Sequence, residues 1–88
     1  MKIKKFELMI GTNVIDCKEI LSVKVKDGKL VLYVIVDDGL DVSHRVDVLD
    51  TGSSIEEYHN YHYHYYKYLN TVMLIDEKMA KHIFYRRL

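Results

Sequence analysis

Along the first half of the chain, apolar and polar residues alternate at period two, the spacing of a half-buried strand. In Lys2-Ile-Lys-Lys-Phe-Glu-Leu-Met9, Phe6 and Leu8 fall on one face, with Lys5 and Glu7 opposite. Gly11-Thr12-Asn13 reads as a turn, with Val14-Ile15 returning as a short strand. From Ile20 to Lys26, Leu21, Val23 and Val25 share one face, and Ser22, Lys24 and Lys26 the other. Asp27-Gly28 then separates two β-branched runs. Both central residues of a type I′ turn need positive φ, so this pair predicts a tight hairpin.

Leu30 to Val36 is apolar without a break. A strand covered on both faces reads that way, which places it at the centre of a sheet. After the Asp37-Asp38-Gly39 turn, Val42 to Leu49 sets Val42, His44, Val46 and Val48 against Ser43, Arg45 and Asp47. Tyr68 to Ile75 and Lys81 to Arg87 make a last pair around Asp76-Glu77-Lys78. The fold class is therefore mainly β, a small antiparallel meander of five to six strands. One short helix would make it α+β. Residues 1–88 form a single domain carrying an insertion over residues 56–67.

That insertion breaks the alternation. Ser54 followed by Glu56 and Glu57 suits the start of a helical turn, because acidic groups favour a helix N-terminus. The following stretch, Tyr58 to Tyr68, holds six of the eight tyrosines and three of the five histidines. Tyrosine offers large contact area at small entropic cost and is enriched at interfaces. The candidate partner surface is therefore Tyr58, His59, Tyr61, His62, Tyr63, His64, Tyr65 and Tyr66. The alternative is a loop whose rings fold back over a sheet face. His62 and His64 would share a side in a strand, and His59 and His62 in a helix, but no second cluster completes a tetrahedral metal set. No metal and no cofactor is expected.

Composition narrows the remaining classes. The 88 residues hold 13 lysines and arginines against 13 aspartates and glutamates, a formal net charge of zero. Direct nucleic-acid binding needs an excess of positive charge, and a DNA mimic needs the opposite. So small a chain builds a thin core, and its strand edges favour a homo-oligomer. The lone Cys17 excludes an internal disulfide and reads as a small apolar residue in a reducing compartment. No apolar run is long enough for a membrane span, and no signal-peptide core follows Met1. The expected location is the cytoplasm. A histidine near Asp47, Asp50 or Ser53 could suggest a hydrolytic triad, yet no strained nucleophile turn or phosphate-cradling loop accompanies it. The expectation is that the protein is not an enzyme. Arg45, Arg86 and Arg87 are candidate anion contacts if their strands meet on one face, and His82 is expected at a partly buried sheet position.

Several segments resemble a family of small uncharacterised bacteriophage and prophage proteins. Lys5-Phe6-Glu7-Leu8 is similar to its opening strand, and Ile20-Leu21-Ser22-Val23-Lys24-Val25-Lys26-Asp27-Gly28 to a second strand that ends in glycine. Leu32-Tyr33-Val34-Ile35-Val36-Asp37 resembles the family's central strand, and Asp50-Thr51-Gly52-Ser53-Ser54-Ile55 its glycine turn. Tyr68-Leu69-Asn70-Thr71-Val72 and Lys81-His82-Ile83-Phe84 resemble its closing pair. Ser53-Ser54 replaces a histidine-proline of the family pattern, and the connection before the last hairpin is longer. The resemblance implies a compact β fold and a phage origin in a bacterial host, with no reaction attached. Three functions follow as expectations. One is a binding protein that inhibits a host defence component, as an anti-CRISPR protein does. Another is an oligomeric sponge for a small anionic or nucleotide signal. The third is a self-associating structural phage protein.

Overall fold

A computed structural model describes residues 1–55, 66–74 and 80–88. Seven strands follow one another: β1 (Lys2–Leu8), β2 (Gly11–Cys17), β3 (Glu19–Lys26), β4 (Lys29–Val36), β5 (Val42–Asp50), β6 (Lys67–Val72) and β7 (Lys81–Arg87). All pairings are antiparallel. They build a three-stranded sheet in the order β1-β4-β3 and a four-stranded sheet in the order β2-β5-β7-β6. No helix occurs among the described residues. The helical turn expected after Ser54, and the Tyr/His run from Tyr58 to Tyr65, lie outside them.

The mainly antiparallel β class is what the sequence pattern implies. The expected single meander of five to six strands is instead seven strands in two sheets. The reason is local. Both β1 and β3 pair with β4, so β2 does not lie between them as a meander requires, and it pairs with β5 instead. The chain crosses to the second sheet through Met9 and Ile10, and returns through Lys18 alone. Gly11, at φ 95°, makes the first corner. Asn13 secures it: the Met9 N–H donates to Asn13 Oδ1 at 2.9 Å, while Asn13 Nδ2 donates to the Met9 carbonyl at 2.9 Å and the Val46 carbonyl at 3.2 Å. The expected turn at Gly11-Thr12-Asn13 is thus the first part of β2.

The hairpin at Asp27-Gly28 takes the expected form, with both residues at positive φ (52° and 75°) and Lys26 opposite Lys29. In β4, Leu30, Leu32, Val34 and Val36 are buried, and Val31, Tyr33 and Ile35 lie half-buried on the opposite face. The strand is central as its apolar run predicts, but only one of its faces joins the core. In β3 a bulge at Leu21 shifts the register, so Ile20 turns inward with Val23 and Val25 while Leu21 is exposed. Strict alternation would have put Leu21 inside. The extra residue of a bulge resets which side chains share a face.

Leu8, Cys17, Ile20, Val23, Leu30, Leu32, Val34, Val36, Val46, Val48 and Ile83 form one core drawn from both sheets. The molecule is a sandwich whose shortest dimension is 15 Å, the thickness of two sheets about 10 Å apart. Burying each large aliphatic side chain contributes roughly 1.5–3 kcal/mol before chain entropy is counted. The two ends of the four-stranded sheet's inner face differ. At one, the cross-strand pair Asp50–Lys81 closes the core with an ion pair. At the other, His44 stands opposite Arg87.

Candidate functional site

The outer face of the four-stranded sheet carries the densest side-chain chemistry. Antiparallel pairing of β5 with β7 puts Arg45 directly opposite Arg86, and Asp47 opposite Phe84. Two facing guanidinium groups repel each other. Two neighbours relieve that repulsion. Arg45 Nε donates to Asp47 Oδ1 and Oδ2 at 3.0 and 3.1 Å. The Tyr66 ring takes both cations, its centroid 5.7 Å from Arg45 Cζ and 5.5 Å from Arg86 Cζ. A tyrosine face attracts cations through its quadrupole. Register explains the position: Lys67 pairs with Tyr85, so the preceding Tyr66 falls beside Arg86.

Asp47 is only 1% exposed although it lies on the face away from the core. A buried carboxylate is costly unless it is paired and hydrogen-bonded, and Arg45 meets part of that need. Beside it, Phe84 meets the Tyr68 ring edge-on, with centroids 5.5 Å apart at 61°. A bulge in β6 allows this arrangement, because Leu69 packs on the core while Tyr68 faces outward.

His82 sits between two threonines on the same face. Thr51 Oγ1 lies 3.4 Å from the Ala80 carbonyl, to which only a hydroxyl can donate. That hydroxyl oxygen then accepts from His82 Nε2–H at 2.7 Å. Nδ1 is left to accept from Thr71 Oγ1 at 2.9 Å, and Thr71 in turn accepts from the Tyr68 hydroxyl at 2.5 Å. Of the two neutral tautomers, this network fits the Nε2–H form. No carboxylate orients this imidazole among the described residues, so the arrangement lacks the third member of a hydrolytic triad.

His44 and Cys17 form a second pairing that imitates a nucleophile and its base. Sγ lies 3.4 Å from Nδ1. The same nitrogen is 3.0 Å from the Val42 carbonyl, which requires it to be the proton-bearing one. It therefore cannot take the thiol proton. Burial, with the nearby carboxylates of Asp41 and Asp16, pushes the Cys17 thiol up from 9.0 to about 11. A fully buried, protonated thiol is chemically quiet.

Of the three arginines singled out in the sequence, Arg45 and Arg86 come together, and Arg87 lies on the opposite face of the same sheet. Of the eight candidate partner-surface residues only Tyr66 is described, and it reaches the arginine pair. Tyr58, His59, Tyr61, His62, Tyr63, His64 and Tyr65 lie outside the described residues. Among the described residues no three histidine, cysteine or acidic groups gather as metal ligands, and no helix is long and apolar enough to cross a membrane. Sequence reasoning placed Asp47 on the face opposite the valines, without its burial, and gave Thr51 and Thr71 no role. The available signal was Arg45-x-Asp47, whose spacing puts opposite charges on one strand face.

No curated protein and no solved structure matches the chain. A family profile does match it, over residues 1–88, and the chain belongs to that family, a domain of unknown function (DUF7352).

Proposed function

We propose that the protein is a small phage accessory protein that acts in the bacterial cytoplasm by binding a host protein, most directly a defence component, and not by catalysis. The contact surface is the outer face of the four-stranded sheet together with the tyrosine-rich segment that leads onto it. One observation carries this reading: Tyr66, the last residue of that segment, rests its ring on both Arg45 and Arg86. Aromatic and arginine side chains held in fixed positions are the groups that dominate protein–protein binding energy. The phage-like sequence pattern supplies the choice of host partner.

Capture from host lysate tests the reading, with the wild-type chain and Tyr66→Ala compared after circular dichroism shows both folded. The expected result is one host protein retained by the wild type and lost by the variant. A wild-type chain that retains no host protein removes the proposal. Self-association has its own observation. Edge strand β2 and the corner before it expose Val14, Met9 and Ile10, and an open edge with apolar neighbours invites a second copy. Light scattering that finds only a monomer would remove that second reading.

A further inference from the structure

The two ends of the sandwich are built differently, and the open one has the character of a ligand site. Beyond the Val46–Tyr85 pair, the inner face of the four-stranded sheet runs on to His44 and Arg87 instead of further aliphatic residues. The start of β3 faces this end from the other sheet. Between them lies a cleft of about 360 Å³, within the range of small-molecule sites. Its walls include Ile20 and His44, both buried, and the half-buried ring of Tyr85.

Lys18, Lys67, Arg86 and Arg87 line the cleft against one carboxylate, Glu19, although the Arg86 side chain turns to the outer face. Two of the four already have company. Lys18 lies 3.6 Å from Asp37, and Arg86 is held at the Tyr66 ring. Lys67 and Arg87 have no ion-pair partner among the described residues. Lys67 pairs with Tyr85, two positions from Arg87, so both belong to the inner face as diagonal neighbours. Such neighbours stand about 7–8 Å apart. Two cations without an ion-pair partner, rooted at strand positions that far apart, can converge on one dianion, an arginine fork on one side and a lysine point charge on the other. The sealed end shows the contrast, since there Lys81 is answered by Asp50.

We propose that this cleft binds a small phosphorylated ligand carrying a planar ring, with the phosphoryl group between Lys67 and Arg87 and the ring against Tyr85 and Ile20. The site is separate from the partner surface on the outer face. Amide chemical-shift titrations with AMP, phenyl phosphate, inorganic phosphate and adenosine test it on the wild-type chain. AMP or phenyl phosphate is expected to shift the amides of Lys67, Tyr85 and Arg87, to bind more tightly than inorganic phosphate, and to weaken as sodium chloride is raised. Adenosine is expected to produce no shift. Arg87→Glu, a change at an exposed strand end, is expected to weaken binding by more than about tenfold, and Lys67→Ala gives an independent second variant. The proposal is overturned if neither phosphorylated probe shifts these amides, if adenosine binds as well as AMP, or if both folded variants bind like the wild type. Host-protein capture that survives Arg87→Glu keeps the two sites distinguishable.

Discussion

The two outward faces of this sandwich come from the same alternating pattern, yet they differ in kind. On the three-stranded sheet, Val31, Tyr33 and Ile35 form a half-buried central line, flanked by Lys5, Ser22 and Lys24. Its one ion pair among the described residues, Lys29 with Glu7 at 3.8 Å, has both side chains more than half exposed. Such pairs contribute little to stability. On the four-stranded sheet the outward positions hold a buried carboxylate, a tyrosine resting on two arginines and a histidine between two hydroxyls. A polar face is cheap where water covers it. Where Asp47 is excluded from water, each partner becomes necessary.

The largest test of this contrast is Asp47→Ala. Removing the carboxylate takes from a half-buried guanidinium one of its partners and leaves a gap in a water-excluded place, and a loss of about 3 kcal/mol is expected in urea unfolding. Glu7→Ala on the opposite sheet is its control. If the two substitutions cost the same, the faces do not differ energetically and the comparison fails.

A second test concerns the interior that both sheets share. With the Cys17 thiol near 11 against 9.0 unfolded, its thiolate fraction at pH 8 falls roughly 100-fold. Alkylation of native protein by iodoacetamide is expected to be slower than that of urea-unfolded protein by at least that factor. The folded value lies above the unfolded one, so the stability contributed by this thiol is complete below pH 9 and is lost as pH rises through about 11. Comparing Cys17→Ala with wild type across that window is expected to show a shallower decline in the variant.

Thr71→Val is smaller. It removes the hydroxyl linking Tyr68 to His82, and a loss of about 1–2 kcal/mol is expected by thermal unfolding. No change would mean the His82 chain is ornamental. Smallest is Glu7→Ala itself, expected within about 0.5 kcal/mol of wild type.

Much of the scaffold was legible because it depends on local rules. Asp27-Gly28 announced a type I′ turn through backbone sterics alone, and the unbroken run at Leu30–Val36 announced a central strand. The alternation from Val42 to Leu49 put His44 with the valines, where the fold has it. The division into two sheets was not legible, because it depends on which strand β4 accepts as a neighbour, a contact between distant segments. Nor were the bulges at Leu21 and Leu69, where one residue out of step reassigns a face. The burial of Asp47 was not legible either, because it arises from the assembled sheet. The arginine pair was half legible: three arginines were visible, but register decided that Arg45 meets Arg86 and that Arg87 turns away. The basic cleft was hidden for a related reason, since Lys18, Lys67 and Arg87 come from three separate strand ends.

The corner crossings of β2 also bear on how the chain reaches this structure. Among the described residues β2 pairs only with β5, although it is joined to β1 and β3 by two residues and one. β1 must wait for β4, and β2 for β5. Both partners come later in the chain, whereas the β3–β4 hairpin closes from neighbouring residues. Topologies dominated by such distant pairings fold slowly. The lysines along β1 lie on an edge strand of its sheet, where charge disfavours pairing with another chain.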